Sequence, residues 1–298
     1  MPTETVYGLA ANALDVHAVL RVFLAKGRPR FDPLIVHVAD AEQAWTVAVP
    51  SPRARVLAAR FWPGPLSLVL PRRSNIPDAI TSGLDTVAVR CPAHPLARAL
   101  IHASGVPIAA PSANMFGMLS PTCAADVRAQ FPESVAFVLD GGPCRVGIES
   151  TVLLVDPQPV ILRPGGVSRE ALVEALGEPV ALADRMAREA SVPLPAPGLL
   201  ASHYAPRTPL RLKQSGEAWP SSPNHAILSW MGVGLPAQAR QVEILSHSGD
   251  LAEAAAGLFA ALRRLDACDA DCIIAERVAE DGLGLGINDR LQRAAGLG

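Results

Sequence analysis

The stretch DVHAVLRVFLAKGRPRFDPLIVHV (residues 15–38) places a helical pattern directly before a short apolar run. Glycine and proline end the helix, and PLIVHV (33–38) is typical of a strand. A helix joined to a buried strand by a short loop is typical of α/β domains. Over residues 15–26, the helical spacing predicts one buried face made of Val16, Val19, Leu20 and Phe23.

The rest of the first half repeats this alternation. Further strands are predicted for 66–71, 86–90, 106–114, 135–142 and 150–156, and a further helix for 94–104. We therefore predict that residues 1–188 form one twisted α/β domain.

The pattern of strands and helices over residues 210–298 predicts a second, smaller α/β domain of Rossmann-like type. Its strands are expected at 225–230, 241–246 and 271–276, and its helices at 250–267 and 282–296. The glycines of GLGLG near the end are weak evidence for a dinucleotide site, because no strand–turn–helix–strand unit follows them.

A proline-rich linker is predicted between the domains, over residues 189–209. Five prolines lie within residues 191–210 and exclude a continuous helix. Ser202, His203 and Tyr204 interrupt this apolar segment. An inert spacer and a functional linker both remain open.

The composition limits the class of protein. The chain has 298 residues, is 50% hydrophobic and 18% charged, and carries a formal net charge of −2. That near-neutral total argues against a broad basic face for duplex nucleic acid. No apolar run reaches the roughly 18 residues expected of a membrane span, and no basic-then-apolar leader is visible. The five cysteines form no C-x-x-C pair, which favours reduced thiols in a cytoplasm over disulfides or a metal site.

Polar residues gather at the predicted strand ends and glycine turns of the first domain. No P-loop, nucleophile elbow or HExxH motif is present, so a nucleotide's phosphates would have to be bound by another kind of site. APSAN (110–114), if it ends a strand, places Ser112 and Asn114 on one face. The other clusters are PTETVYG (2–8), KGR (26–28), TVAVR (86–90), SPT (120–122), GIEST (147–151) and LRPGG (162–166).

Each cluster also has a structural explanation. Lys26 and Arg28 could be cations at a helix C-terminus, and His37 could be a satisfied core histidine. APSAN could be a capped turn, and an ion pair could join Arg90 to Glu149. Together, however, four cations in one pocket would suit an anion such as a triphosphate: Lys26, Arg28, Arg90 and Arg163.

The chain resembles the YrdC-like family of threonylcarbamoyl-AMP synthases, in the longer, two-domain form. The resemblance rests on motifs that follow one another in the same order. They are PTETVYGLAANA, KGRPRFDPLIVHV, FWPGPLSLVL, TVAVRCPAHP, APSANMFGMLSPT, VGIESTV, LRPGG, PGLLASHYAPRTPL and GLGLGINDRLQRAAG.

The resemblance implies a concave basic pocket and a role for individual residues. The K-x-R and S-x-N motifs supply the expected catalytic set: Lys26, Arg28, Ser112 and Asn114. ATP is expected to contact Arg28, Thr86, Ser112, Ser120, Arg163 and Tyr204. L-Threonine is expected to contact Thr5, His37, Arg90, Ala110 and Ser150, with Arg90 at its carboxylate.

The resemblance also implies the reaction and its partners. L-Threonine, bicarbonate or carbon dioxide, and ATP would give threonylcarbamoyl-AMP and pyrophosphate. Mg²⁺ would bridge the phosphates without a dedicated protein metal site. A downstream transferase would pass the group to tRNA in the cytoplasm, and direct tRNA binding is left open. The second domain and the linker would act as a lid over the site.

Lys26 is one of only two lysines in a chain that otherwise uses arginine as its cation. The presence of a lysine at this position suggests a hypothesis. A compact ammonium contacts phosphate as a point charge, whereas a guanidinium imposes a wide planar fork. Lys26 would then fit between phosphates where arginine would not, and Lys26→Arg should lose turnover of ATP to pyrophosphate.

Three features depart from the family pattern. The chain begins at the PTET motif, where the family has a preceding segment with a strand, so an edge element is expected to be missing. Asp32 replaces the usual asparagine, an unexpected carboxylate near a triphosphate. Met115, Phe116 and Gly117 replace a turn that usually contains serine.

Two other functions compete with the synthase. An RNA-binding module is disfavoured by the 4% aromatic content and the net charge of −2. A related enzyme that transfers carbamoyl to another acceptor is disfavoured by the second domain, which resembles that of the synthase.

Overall fold

The computed structural model describes residues 1–131, 135–183 and 204–297. The helices in these ranges are α1 (Val16–Lys26), α2 (Ala41–Val47), α3 (Pro52–Phe61), α4 (Asp78–Thr81), α5 (Pro95–Ser104), α6 (Ala124–Gln130), α7 (Arg169–Leu176), α8 (Leu251–Asp266) and α9 (Gly284–Ala294). The strands are β1 (Ala11–Asn12), β2 (Ile35–His37), β3 (Leu66–Pro71), β4 (Thr86–Arg90), β5 (Ile108–Ala109), β6 (Thr151–Leu154), β7 (Val160–Arg163), β8 (Ala181–Leu182), β9 (Leu210–Leu212), β10 (Ser222–Ser229), β11 (Ala239–Ile244) and β12 (Cys272–Ala275). The predicted α/β class is confirmed. None of these helices is long and apolar enough to cross a membrane.

The first sheet is mixed and has eight strands in the order β1-β5-β2-β4-β3-β6-β7-β8. In β4, Val87 and Val89 belong to the main core, whereas Ala88 and Arg90 point to the opposite face, since side chains alternate along a strand. The parallel register between β2 and β4 pairs His37 with Arg90. These two polar residues therefore lie side by side on the face opposite the main core.

Helix α1 begins and ends where the sequence predicts. Asp15 accepts hydrogen bonds from two main-chain N–H groups at the N-terminus, and Gly27 ends the helix at a φ of 61°. The predicted apolar face is only partly right, because Val16 is 42% exposed. The residues buried along the helix are Ala18, Val19, Val22, Phe23 and Lys26. The last turn of α1 therefore carries an ammonium into the interior.

The strand predictions meet mixed outcomes in the first half of the chain. The interval 106–114 contains only the two-residue strand β5, because Pro107 and Pro111 cannot donate to a ladder. The prediction for 135–142 is wrong: the structure shows no strand there, and Phe137 is 86% exposed. An apolar run forms a strand only where a neighbouring backbone pairs with it. Strands lie, as predicted, within 33–38, 66–71, 86–90 and 150–156.

The second sheet has the order β11-β10-β12-β9, and its three pairings are all parallel. Asp250 caps α8 as predicted, and Leu258, Leu262 and Leu265 are fully buried along it. A small parallel sheet covered by helices agrees with the predicted Rossmann-like character. The domain limits remain predictions, and residues 189–203 of the linker lie outside the described ranges.

The two halves share one apolar cluster. Val6, Leu119 and Ile148 of the first half pack with side chains of α8 and α9. Gly147 permits the contact, because a Cβ there would lie 2.4 Å from a main-chain oxygen of α8. A Cβ at Gly286 of α9 would lie 2.9 Å from the Ile148 side chain. The C-terminal helices therefore pack directly against the 147–150 loop.

Candidate active site

One cavity opens on the sheet face that carries His37 and Arg90. Its lining comes from the N-terminal segment, from β2, β4 and β7, and from the loops that follow α1 and β5 and precede β6, together with Tyr204. The lining residues are Thr3, Thr5, Val6, Gly8, Arg28, Ile35, His37, Arg90, Ala110, Pro111, Ser112, Glu149, Ser150, Arg163 and Tyr204. Segments far apart in the chain thus meet at a single site.

Arg90 lies at the end of β4 and is held by a carboxylate. Its guanidinium forms a 2.5 Å ion pair with Glu4 and donates a 2.9 Å hydrogen bond to Thr5 Oγ1. The second Glu4 oxygen accepts from the Ala93 N–H at 3.0 Å. The alternative that Glu149 is the partner of Arg90 is therefore wrong. Glu4 orients the guanidinium toward Thr5 and the cavity.

Arg28 is also paired. Its Nη2 lies 2.8 Å from Asp32 Oδ2, and the guanidinium donates to the carbonyls of Asp32 and Pro33 at 3.1 and 2.9 Å. Asp32 is fully buried. The carboxylate that seemed misplaced near a triphosphate therefore balances the charge of an arginine that lines the cavity.

Lys26 lies behind the cavity rather than in its lining. The Nζ donates to the carbonyl of Ser112 at 2.6 Å and to the carbonyl of Asn114. Burial, and then the nearby charge of Arg28, lower the pKa of Lys26 well below its usual value. The ammonium thus holds the main chain of the S-x-N motif in place, and its predicted contact with phosphate remains a prediction.

His37 is 3% exposed and lines the cavity beside Arg90. Its Nδ1 lies 3.3 Å from the Ile35 carbonyl, which can only accept. Burial, and then the charge of Arg90, lower the pKa of His37 to about 3. The ring is therefore neutral near pH 7 and contributes hydrogen bonds rather than charge.

Ser150 and Arg163 lie next to each other in the cavity lining. Ser150 Oγ lies 2.8 Å from Ser67 Oγ, and Arg163 Nη2 donates to the Ser150 carbonyl at 3.0 Å. Ile161 packs in the main core, so strict alternation would turn Arg163 to that side as well. The β6–β7 register shifts at this point, and such a bulge re-aims a side chain.

Comparison with known proteins identifies the family. Residues 1–165 match the Sua5/YciO/YrdC family model, which is described as "Telomere recombination". The chain belongs to this family. Residues 167–296 match a second model, the C-terminal domain of threonylcarbamoyl-AMP synthase.

Relatives in the Sua5/YciO/YrdC family are similar over nearly the whole chain. The threonylcarbamoyl-AMP synthases of Bacillus subtilis and Pyrococcus abyssi are each 42% identical over 99% of this chain, covering 88% and 89% of their own lengths. The solved structure of P. abyssi Sua5 complexed with L-threonine has a TM-score of 0.87 at 41% identity, and the match covers 99% of this chain and 89% of that chain. The family resemblance seen in the motifs is thereby confirmed, as is the YrdC-like fold.

Most residues singled out from the sequence meet at the cavity of this family member. The lining contains nine of them: Thr5, Arg28, His37, Arg90, Ala110, Ser112, Ser150, Arg163 and Tyr204. Their assignment to threonine or to ATP remains a prediction, since no ligand is bound. Arg28, Arg90 and Arg163 supply the expected cationic character, although Arg28 and Arg90 are already ion-paired.

Four predicted residues do not line the cavity. Lys26 lies behind it, and Thr86 occupies the end of β4 remote from Arg90. Ser120 is buried and donates to Glu149. Asn114 donates from its amide to the carbonyls of Met115 and Met118, at 2.8 and 2.9 Å. The expectation that Ser112 and Asn114 share one face of a strand is wrong, because residues 110–114 form no strand.

Three charged residues of the site escaped the sequence reasoning: Glu4, Glu149 as a partner of Ser120, and Arg290. Glu4 lies inside the PTETVYG motif. The signal for it was Arg90, since a buried arginine at the end of a strand needs a carboxylate as its partner. Arg290 carried no such signal. It lies on α9, far along the chain, and reaches the site only through the contact between the two halves.

The described ranges contain no group of three or more His, Cys, Asp or Glu side chains arranged to hold a metal ion. Glu149 is the carboxylate in the cavity lining, and both of its oxygens already accept hydrogen bonds, from Ser120 and Arg290. The donor set of the cavity therefore does not fit a resident metal.

Proposed function

We propose that this chain is a threonylcarbamoyl-AMP synthase of the nucleotidyltransferase class. It would condense L-threonine, bicarbonate or carbon dioxide, and ATP to threonylcarbamoyl-AMP and pyrophosphate. The observation that supports this best is one cavity in which three arginines meet small hydroxyl groups and a neutral histidine. The relatives named for this activity match the chain along its whole length.

The side of the cavity at Arg90 suits an amino acid. A guanidinium fork matches a carboxylate, and Glu4 holds the fork toward the cavity. Thr5 and Ser150 offer hydroxyl groups, and His37 offers a neutral ring, so a side chain with a hydroxyl group would find partners here. The P. abyssi relative has been solved in complex with L-threonine, which supports this assignment.

The other side of the cavity suits a nucleotide. Arg28 and Arg163 are cations at which phosphates would lie. On the same sheet face, Ile35, Val69, Ala88 and Val152 form a small apolar cluster, which would accept the base. Mg²⁺ would enter bound to the phosphates of ATP and offset their charge.

No protein nucleophile is needed for this reaction. The threonine amine forms a C–N bond to carbon dioxide and loses a proton, which gives a carbamate. A carbamate oxygen then displaces pyrophosphate from the α-phosphorus, forming one P–O bond as another breaks. The protein would hold the reactants in register, and such positioning can supply roughly 7–11 kcal/mol of the barrier. The product is a reactive mixed anhydride, so we propose that a downstream transferase in the cytoplasm passes its acyl group to tRNA.

The test is release of pyrophosphate from ATP, Mg²⁺ and bicarbonate in the presence of each amino acid in turn. We expect release with L-threonine. Arg90→Gln should raise the KM for threonine by roughly a hundredfold, because it leaves the substrate carboxylate without its fork. The matched control is Arg98→Gln, since Arg98 is a half-buried arginine outside the cavity lining. The proposal would be refuted if pyrophosphate release required an acceptor other than threonine, or if no pyrophosphate were released.

A further inference from the structure

Arg290 on α9 is fully buried and reaches from the second half of the chain into the first. Its Nε donates to Glu149 Oε2 at 2.9 Å, and its Nη1 donates to the Pro164 carbonyl at 2.5 Å. The guanidinium carbon also lies 5.4 Å from the centre of the Tyr204 ring. Arg290 thus contacts three segments that build one wall of the cavity.

Glu149 links Arg290 to that wall. One carboxylate oxygen accepts from Arg290 and the other accepts from Ser120 Oγ at 2.5 Å. Glu149 lines the cavity together with Ser150 and Arg163. It is a negative charge placed where an anionic substrate has to enter.

We infer that Arg290 is a positioning residue for ATP: it neutralises Glu149 and holds it in place, which makes this wall of the cavity acceptable to phosphates. The inference rests on the proposed adenylation of threonine carbamate. Arg290 acts through Glu149 and does not have to touch substrate.

The environment of Arg290 supports a permanent charge. Burial alone would lower its pKa, but Glu149, Tyr204 and Asp289 together raise it above the usual value. Nη2 is buried and has no hydrogen-bond partner among the described residues. An unpaired buried donor is costly, and the carboxylates of Glu149 and Asp289 offset that cost. The retained cation is explained by the carboxylate beside the anion site.

Without Arg290, Glu149 would face the cavity as an uncompensated buried charge. It would repel phosphates, and its attraction for the Ser120 hydroxyl hydrogen would grow. Both effects act on ATP and leave the opposite side of the cavity, around Arg90 and Thr5, unchanged. The expected defect is therefore selective for one substrate, which a loss of folding is not.

The test compares variants of the full chain in the pyrophosphate assay. Arg290→Met should raise the KM for ATP by roughly tenfold or more, with the KM for threonine changed less than about twofold. Arg290→Lys, which keeps the charge, should recover part of the affinity. Adding Glu149→Gln to Arg290→Met should return the KM for ATP to within about threefold of the wild type. Arg293→Met is the matched control, because Arg293 is buried on the same helix and pairs with Asp289, which Arg290 also contacts at 3.0 Å, whereas the ion pair with Glu149 is made by Arg290.

The outcomes separate the two hypotheses. A wild type without threonine-dependent release refutes the proposed function. An active wild type refutes the inference if Arg290→Met behaves like Arg293→Met, if both KM values rise together, or if Glu149→Gln gives no rescue. Should Arg290→Met fail to fold, Glu149→Gln alone decides. With Arg290 retained, the neutral amide should lower the KM for ATP, because it removes the negative charge beside the phosphates, and an unchanged or higher KM would overturn the inference.

Discussion

Acidification should destabilise this protein through His37. His37 lies on β2, which pairs with β4 on one side and β5 on the other. Its ring is buried and neutral in the folded chain, with a pKa of about 3 against an ordinary value of 6.5. The unfolded chain takes up a proton as the pH falls through 6.5, and the folded chain does not until about pH 3. Between these values the unfolded state binds more protons, so the free energy of unfolding falls as the pH falls.

The size of the effect follows from the two pKa values. Each pH unit well inside the window costs about 1.4 kcal/mol. Near pH 7 almost nothing is lost, and the loss begins as the pH passes 6.5. At pH 5 the loss from this one group should reach about 2 kcal/mol.

Urea denaturation at pH 7 and at pH 5 measures this loss. His37→Gln removes the titrating ring, so its free energy of unfolding should fall by about 2 kcal/mol less than that of the wild type between the two pH values. Ile101→Val is the control, since Ile101 is fully buried outside the cavity lining. It should lose about 1 kcal/mol at both pH values and keep the pH dependence of the wild type. If His37→Gln keeps that pH dependence as well, the neutral buried ring is refuted.

Three further substitutions test other contacts. Asp32→Asn should lower the free energy of unfolding by about 3 kcal/mol, because it leaves a buried arginine without its counter-charge. It should also raise the KM for ATP, because Arg28 loses the carboxylate that holds its fork in place; an unchanged or lower KM contradicts this. Ser67→Ala removes the 2.8 Å contact to Ser150 and should raise the KM for threonine roughly threefold in steady-state assays. Gly147→Ala and Gly216→Ala share a φ of 76°, but only Gly147 abuts a helix. Calorimetry should show a loss of about 1 kcal/mol for Gly216→Ala and at least twice that for Gly147→Ala, whereas equal losses would rule out the tight contact.

Local chemistry explains why much of the fold could be predicted. Asp15 and Gly27 mark the ends of α1 by side-chain capping and by a positive φ. TVAVR alternates between a core face and a polar face, which places Arg90 opposite the main core. The segment 135–142 begins with a continuous apolar run, which also predicts a strand, and forms none. Its pairing partner would have to come from elsewhere in the chain, and no local pattern specifies one.

The candidate site, like the fold, could be predicted only in part. The lining residues could be found because hydroxyl groups and cations cluster at strand ends. Arg28 and Asp32 are only four residues apart, but the partners of Arg90 and Glu149 could not be found, because those ion pairs join segments that meet only in the folded chain. Glu4 reaches Arg90 from the N-terminal segment, Arg290 reaches Glu149 from the second half, and a shift of register turns Arg163 into the cavity. Sequence spacing alone predicts none of these three arrangements.

These pairings reconcile an anion site with a chain whose formal net charge is −2. Bringing several unpaired guanidinium groups into one buried pocket would cost several kcal/mol for each charge. Here Asp32 and Glu4 balance two of the arginines, and Arg290 balances the carboxylate of Glu149. The folded chain therefore holds the cations in place at low cost, and the geometry of their donors, more than an excess of charge, selects the ligand. Anion recognition in this cavity consequently depends on carboxylates that do not themselves attract the substrate.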